Sequence, residues 1–376
     1  MIIAVNTRFL IKNRLEGIGW FTFEILKRIT QQHPEHQFIF FFDRPFSKEF
    51  LFADNITPVV VSPQARHPFL FWIWFEFSIP YYLKKYKADV FLTTDGFLSL
   101  KTKVPTILVI HDLAYLHYPK SVSWLVRNYY EYFTPRFAQK AHRILTVSEF
   151  SARDIKSQLG ISSEKIEVVY NGVNPVFSPL ETAEDIKNSR SEFAMGNNYF
   201  LFVGALQPRK NVDGLLESYK IFRDTTSYTH HLVIVGRKAW QFDEIINAYI
   251  EHPYKNEIHF FDHLPPNKLR SAYGGATALV FISKFEGFGI PIIEAFKCQC
   301  PVITSRTTSL PEIAGNAALL VNPDDHQEVA VSMQKVAEDK NVCEILKDNG
   351  SRRALEFSWD NSAEKVWNVL INSLKT

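Results

Sequence analysis

The chain has 376 residues, about two and a half times the roughly 150 residues of a typical domain, so two domains and an appendage are expected. At 46% apolar and 22% charged it falls in the ordinary globular range, which excludes disordered, collagen-like and charged-tail chains. The 42 Lys+Arg against 40 Asp+Glu leave a net charge of +2, so no nucleic-acid partner is expected and any bound anion must be held locally.

The amino terminus, Met1-Ile2-Ile3-Ala4-Val5-Asn6-Thr7-Arg8, has no basic start and too short an apolar stretch for a signal peptide, so a cytoplasmic location is expected. Residues 2–5 open a series of short β-branched and aromatic runs that continues at 38–42, 58–61, 90–93, 106–110, 144–147 and 166–169. Longer helical patterns separate most of them, which predicts a parallel sheet flanked by helices. After the first run a polar loop leads to Gly17-Ile18-Gly19, and Phe21, Ile25, Leu26 and Ile29 then trace an amphipathic helix. Such a turn can present backbone N–H groups to a phosphate. It is not the dinucleotide fingerprint, because Thr22 stands where the third glycine of Gly-x-Gly-x-x-Gly belongs.

The 32 Phe, 15 Tyr and 7 Trp reach 14% of the chain, an excess that needs a location. Much of it lies between Pro68 and Tyr86, where Phe69, Phe71, Trp72, Trp74, Phe75, Phe77, Tyr81 and Tyr82 precede Lys84, Lys85 and Lys87. Glu76 and Pro80 interrupt this run, and at about 15 residues it falls short of the ~20 needed to span a bilayer. Two readings stay open: an interfacial face at 69–87 in peripheral contact with a membrane or an acceptor, and a helix that uses the same aromatics as core. Further on, Asp95 in Thr94-Asp95-Gly96 could face an acceptor or form an Asp-Gly turn. His111 and Asp112 end another apolar run, where a histidine is more often structural.

Asn171-Gly172-Val173-Asn174-Pro175, then Pro179 and a polar stretch at 181–198, have the turn chemistry of an interdomain connection, with the boundary near 175. A second set of apolar runs follows at 200–203, 232–235, 258–261, 279–282, 302–304 and 319–321, with helical spacers such as 212–224 and 325–338. The expected fold class is therefore α/β, with two doubly wound Rossmann-like domains over residues 1–175 and 176–357. Residues 358–376 read as a terminal amphipathic helix with Asp360 as N-cap.

Two turns of the second domain carry chemistry. Gly204-Ala205-Leu206-Gln207-Pro208-Arg209-Lys210-Asn211 joins a strand to a helix and sets two cations where open α/β sheets bind ligands. The string Glu286-Gly287-Phe288-Gly289-Ile290-Pro291, with Glu294 eight residues after Glu286, follows another strand. Its glycines permit close backbone approach and the next helix aims its positive end at the turn. A carboxylate beside an anion site makes sense if it bonds hydroxyls of the same ligand, a sugar attached to a phosphate. A continuous helix would place the two glutamates roughly 12 Å apart on one face, matching hydroxylated groups on either side of a diphosphate. There is no His-Glu-x-x-His, Cys-x-x-Cys or Asp-x-Asp, and Cys298, Cys300 and Cys343 make no zinc site or disulfide framework, so no metal or cofactor is expected.

This combination resembles the retaining GT-B glycosyltransferases called family 4, or group 1, with their Glu-x7-Glu motif. The resemblance covers almost the whole chain, including the early glycine turn, His111-Asp112, Val147-Ser148-Glu149, Asn171-Gly172-Val173, the Gly204–Asn211 turn and Phe357-Ser358-Trp359. It implies two domains facing a cleft and a terminal helix that crosses back to the first domain. It further implies metal-independent transfer of a hexose-type sugar from a GDP- or UDP-linked donor to a glycan or lipid-linked acceptor. Polysaccharide or lipopolysaccharide synthesis at the inner face of the cytoplasmic membrane would be the setting. An epimerase or phosphorylase on the same fold, or a silent glycan- or nucleotide-binding protein, are the alternatives.

By the same resemblance Gly17 and Gly19 approach the donor phosphates, while Arg209 and Lys210 neutralise them. Glu286 contacts sugar hydroxyls, Gly287 lets the donor approach the backbone closely, and Phe288 and Gly289 offer backbone amides. Glu294 holds the ribose, the Leu264 backbone reads the base, and His111 with Asp112 sits against the transferring sugar.

Overall fold

The computed structural model describes residues 1–237 and 242–374, so positions 375–376 of the expected terminal helix lie outside the described residues. The chain divides into two compact units, Met1–Gly172 with Ser358–Thr376 and Val173–Phe357.

Every apolar run singled out above forms a strand. In the first unit these are β1 (Ile2–Asn6), β2 (Gln37–Phe42), β3 (Ile56–Val60), β4 (Val90–Thr93), β5 (Thr106–Val109), β6 (Arg143–Thr146) and β7 (Ile166–Val168). They pair in parallel in the order β3-β2-β1-β4-β5-β6-β7. The second unit contributes β8 (Tyr199–Val203), β9 (His231–Val235), β10 (Ile258–Phe261), β11 (Ala278–Phe281), β12 (Val302–Ser305) and β13 (Leu319–Val321). Its parallel order is β10-β9-β8-β11-β12-β13. Helices on both faces leave the central strands no exposed side, which is why runs such as Phe38-Ile39-Phe40-Phe41-Phe42 are apolar at every position and buried. Strand order reverses between β1 and β4 and again between β8 and β11. In open α/β sheets such switch points leave a crevice at the carboxyl ends of the strands, where ligands bind.

The terminal helix, Trp359–Asn372, belongs to the first unit and lies along the helix Gly17–Gln32. Trp367 stacks on His33 with ring centroids 3.6 Å apart, and Arg28 Nε donates to Asp360 Oδ1 at 2.5 Å. The N-cap is Ser358, not Asp360 as the sequence suggested: Ser358 Oγ accepts from the backbone N–H of Asp360 at 3.2 Å. Asp360 is held by Arg28 instead, so a charge pair claims the residue that looked like the cap.

The aromatic segment is a continuous helical rod: an α-helix Pro68–Ile73, a π-helical turn Trp74–Ser78 and an α-helix Ile79–Lys85. Within it the cluster divides. Trp74, Phe75, Ile79 and Leu83 are buried, and the Trp74 indole N–H donates to the Val61 carbonyl at 2.9 Å. Glu76 is buried too, and its carboxylate accepts from the Leu100 N–H at 2.8 Å. Phe69, Trp72, Phe77 and Tyr81 remain 60%, 37%, 49% and 63% exposed, so the core reading holds for only part of the segment. Among the described residues, no helix is long and apolar enough to cross a membrane.

Candidate functional site

In the second unit the loops leaving β8 and β11 at the switch point are tied together. The Lys284 N–H donates to the Arg209 carbonyl at 2.8 Å, and Asn211 Nδ2 reaches the carbonyls of Ile282 at 3.3 Å and Pro323 at 2.7 Å. The loop after β12 supports the same turn from below: the Glu286 N–H donates to Thr308 Oγ1 at 3.2 Å, and Ser309 Oγ donates to the carbonyls of Glu286 and Phe288 at 2.9 and 3.0 Å. These bonds bring Arg209, Lys210 and Glu286 into one cluster. Lys210 Nζ lies 2.5 Å from Glu286 Oε1, and Arg209 Nη1 lies 3.0 Å from Oε2 while also donating to the Phe285 carbonyl. The side chains of Lys210 and Glu286 are 11% and 8% exposed, so the pair is largely removed from water. Burial alone would raise the Glu286 carboxyl, but the Lys210 and Arg209 charges outweigh it and hold it at about 2.

Gly287, Phe288 and Gly289 complete the turn, all buried. Gly289 has φ +107°, and a Cβ there would come within 2.7 Å of Leu310 Cδ2, so both conformation and space require glycine. The helix Ile290–Lys297 starts directly after it, with no side-chain cap and no acidic residue in its first turn. This corrects the sequence reading: Glu286 sits in the loop before the helix and Glu294 sits in it, so the two do not share a helical face. Glu294 is half-buried and accepts from Tyr273 Oη at 2.8 Å; burial pushes its carboxyl up to about 7 despite that hydrogen bond. Leu264 lies in the loop between β10 and the helix Pro266–Gly275.

In the first unit, Gly17 opens the helix Gly17–Gln32, which likewise has no side-chain cap and no acid in its first turn. A Cβ on Gly19 would sit 3.0 Å from the Phe9 carbonyl, so the chain passes too closely there for a side chain to fit easily. His111 follows β5 and its Nε2 lies 2.9 Å from the Thr94 carbonyl, which makes Nε2 the donor and leaves Nδ1 an acceptor on the neutral ring. Burial lowers its pKa, favouring that neutral form. Asp112 Oδ1 accepts from the Ala114 N–H at 2.9 Å, starting the short helix Ala114–His117.

Asp95 is committed to protein donors. Oδ2 accepts from Asn6 Nδ2 at 2.8 Å and from Arg8 Nε, and Oδ1 from Thr93 Oγ1 at 3.2 Å and the Phe97 N–H at 3.3 Å. The turn-forming alternative fits this geometry better than acceptor contact. Arg8, which sequence reasoning missed, is buried against the rings of Phe97 and Phe71, with centroids 4.4 and 5.0 Å from its guanidinium carbon. Tyr273, Thr308 and Ser309 were missed as well; the position of Thr308 and Ser309 just past an apolar strand was the one available signal. Among the described residues, no three His, Cys, Asp or Glu side chains gather to hold a metal ion.

Several known proteins share this architecture. Sucrose-phosphate synthase from Thermosynechococcus elongatus superposes with a TM-score of 0.79 at 17% identity, over 99% of this chain and 98% of that one. The Anabaena protein HepE, solved with UDP-glucose, gives 0.76 at 16% identity over 99% and 100%. Two parallel-sheet units of this kind define the GT-B fold. The family model Glycosyltransferase Family 4 matches residues 15–177, and Glycosyl transferases group 1 matches residues 184–353. The chain belongs to this group 1 family of glycosyltransferases. In sequence it is similar to the O-antigen chain mannosyltransferase B of Escherichia coli, 25% identical over 374 residues that make up 96% of this chain and 97% of the relative.

Proposed function

We propose that this glycosyltransferase moves a hexose-type sugar from a GDP- or UDP-linked donor to a hydroxyl of a glycan or lipid-linked acceptor, with retention at the anomeric carbon, in cell-surface polysaccharide or lipopolysaccharide synthesis. The observation that carries this reading is the Arg209–Lys210–Glu286 cluster at the β8/β11 switch point, beside the uncapped start of the helix Ile290–Lys297. Cations and a helix start suit a diphosphate, and a carboxylate among them suits the hydroxyls of its sugar. The UDP-glucose bound by HepE and the mannosyl transfer named for the Escherichia coli relative support the donor class and the setting.

We assign Arg209, Lys210 and the Gly287–Gly289 turn to the diphosphate, Glu286 to the sugar hydroxyls, Glu294 to the ribose and the Leu264 backbone to the base. In the first unit, Gly17 and Gly19 are assigned to the donor phosphates, and His111, through Nδ1, to a hydroxyl of the transferring sugar. Retention by two displacements needs a carboxylate at the anomeric carbon, and Glu286, the carboxylate of the cluster, is already paired to Lys210 and Arg209. Front-face attack, with the departing phosphate accepting the acceptor's proton, fits better. Leaving-group charge is carried by side chains, without a metal.

A thermal-shift screen with UDP, GDP and their sugars tests this reading. A ligand at 100 times its Kd adds about 2.7 kcal/mol of apparent stability. A shift with one nucleotide and its sugar, followed by transfer assays with that donor, is expected; no shift with either nucleotide would overturn the assignment.

On the first unit, we infer peripheral contact with an anionic bilayer. The exposed Phe69, Trp72, Phe77 and Tyr81 lie on one helical rod, followed by the exposed Lys84, Lys85 and Lys87. Lys101 Nζ stands 3.8 Å from the Phe77 ring centroid, and Glu76, the one acid of the rod, is turned into the core. Exposed aromatics with lysines on the same segment suit the headgroup layer of anionic lipids, where a lipid-linked acceptor would lie.

A further inference from the structure

The two cations assigned to the donor diphosphate are both paired to one carboxylate. Lys210 Nζ is 2.5 Å and Arg209 Nη1 is 3.0 Å from the two oxygens of Glu286. Contact with sugar hydroxyls does not require that arrangement, because a neutral amide bonds hydroxyls as well. The main chain that carries the carboxylate is also held beside the two cations. It is bonded on both sides, by Thr308 Oγ1 to its N–H and by Ser309 Oγ to its carbonyl, and the Gly289 turn follows three residues on.

We propose that Glu286 is an internal counter-ion that limits how tightly the nucleoside diphosphate product is held and thereby promotes its release. This rests on the reading that the second unit binds a nucleotide-diphosphate sugar. Three charged groups in the cluster sum to a single positive charge, which faces a diphosphate bridge in the donor. The product carries about one negative charge more than the donor, because its terminal phosphate titrates near 6. A fixed carboxylate therefore opposes the product more strongly than the donor. The Glu286 carboxyl, held at about 2, keeps that charge throughout the neutral range. At an effective dielectric of about 20, one charge several ångströms from another changes an equilibrium constant roughly tenfold or more.

The test is isothermal titration calorimetry of wild type, Glu286→Gln and Glu286→Ala with UDP and GDP and with the matching nucleotide sugar, circular dichroism confirming the fold. In both variants the nucleoside diphosphate should bind about tenfold tighter, with a smaller gain for the nucleotide sugar, while sugar transfer falls. A merely structural or sugar-contacting Glu286 would not tighten product binding. Unchanged or weaker product binding in both folded variants, beside measurable binding in wild type, overturns this inference alone. Absence of nucleotide binding in wild type overturns the donor reading, and the inference with it.

Discussion

Tyr273 Oη, on a fully buried ring, donates at 2.8 Å to Glu294 Oε2 on the neighbouring helix Ile290–Lys297. Burial moves the Glu294 carboxyl from its ordinary 4.5 up to about 7, and the tyrosine bond opposes that rise. A folded-state pKa above the unfolded one means that the native protein holds the extra proton between about 4.5 and 7. Stability contributed by this group is therefore full below 4.5 and lost as pH rises to about 7.

The same pair sets a pH dependence for the donor. An ionised Glu294 accepts ribose hydroxyls and a protonated one accepts them less well, so nucleotide-sugar affinity should rise with pH through a midpoint near 7. In Tyr273→Phe the ionised form loses its donor and the midpoint should move upward. Nucleotide-sugar Kd measured from pH 6 to 9 decides it: a coincident midpoint in the two proteins removes Tyr273 from the pathway.

Lys210→Ala should lower kcat by about a hundredfold to a thousandfold, the scale found for one well-aimed group at a site of developing charge. Arg209 stays beside Glu286 in this variant, so the carboxylate keeps a partner and the fold should survive. Steady-state sugar transfer together with a melting curve separates the two effects. Full turnover by folded Lys210→Ala would end the leaving-group assignment.

Gly172 was legible as part of an interdomain turn, but the structure gives it a packing role. A Cβ there would lie 2.4 Å from the Trp359 backbone nitrogen and 2.6 Å from its ring Cγ, and backbone cannot yield as a flexible side chain can. Gly172→Ala should cost about 1–3 kcal/mol through overpacking, lowering Tm by several degrees. Urea or thermal unfolding measures it; an unchanged midpoint would mean that the terminal helix shifts freely.

The strands were legible because parallel strands buried on both faces leave continuous apolar runs, and Ile258–Phe261 and Leu319–Val321 match to the residue. The site residues of the second unit were legible as types and in chain order, since Arg209, Lys210 and Glu286 all follow apolar strands. Their geometry was not. A left-handed Gly289 breaks the chain between Glu286 and Glu294, and one-dimensional spacing treats loop and helix alike. Partners distant in sequence, such as Arg8 for Asp95 or Ser309 for Glu286, cannot be paired from local sequence because strand crossovers bring them together.

If Arg209 and Lys210 carry the leaving diphosphate, divalent metal is not required. Transfer rates should stay within about twofold in excess chelator, against the hundredfold scale expected for loss of a charge-stabilising group. Loss of activity restored by magnesium would contradict the assignment.

The exposed aromatic face gives the last prediction. Phe69, Trp72, Phe77 and Tyr81 are outside the core, so changing all four to serine should remove little packing and shift Tm slightly. Binding to vesicles containing phosphatidylserine or phosphatidylglycerol should fall at least tenfold, because each buried aromatic contributes on the order of 1 kcal/mol or more at the interface. Transfer to a water-soluble acceptor analogue should persist, since none of the four belongs to the Lys210–Glu286 cluster. Co-sedimentation at low and high salt separates the lysine contribution, which salt screens, from the aromatic one, which it does not. A wild-type protein that ignores anionic vesicles at low salt would return this face to an ordinary exposed surface.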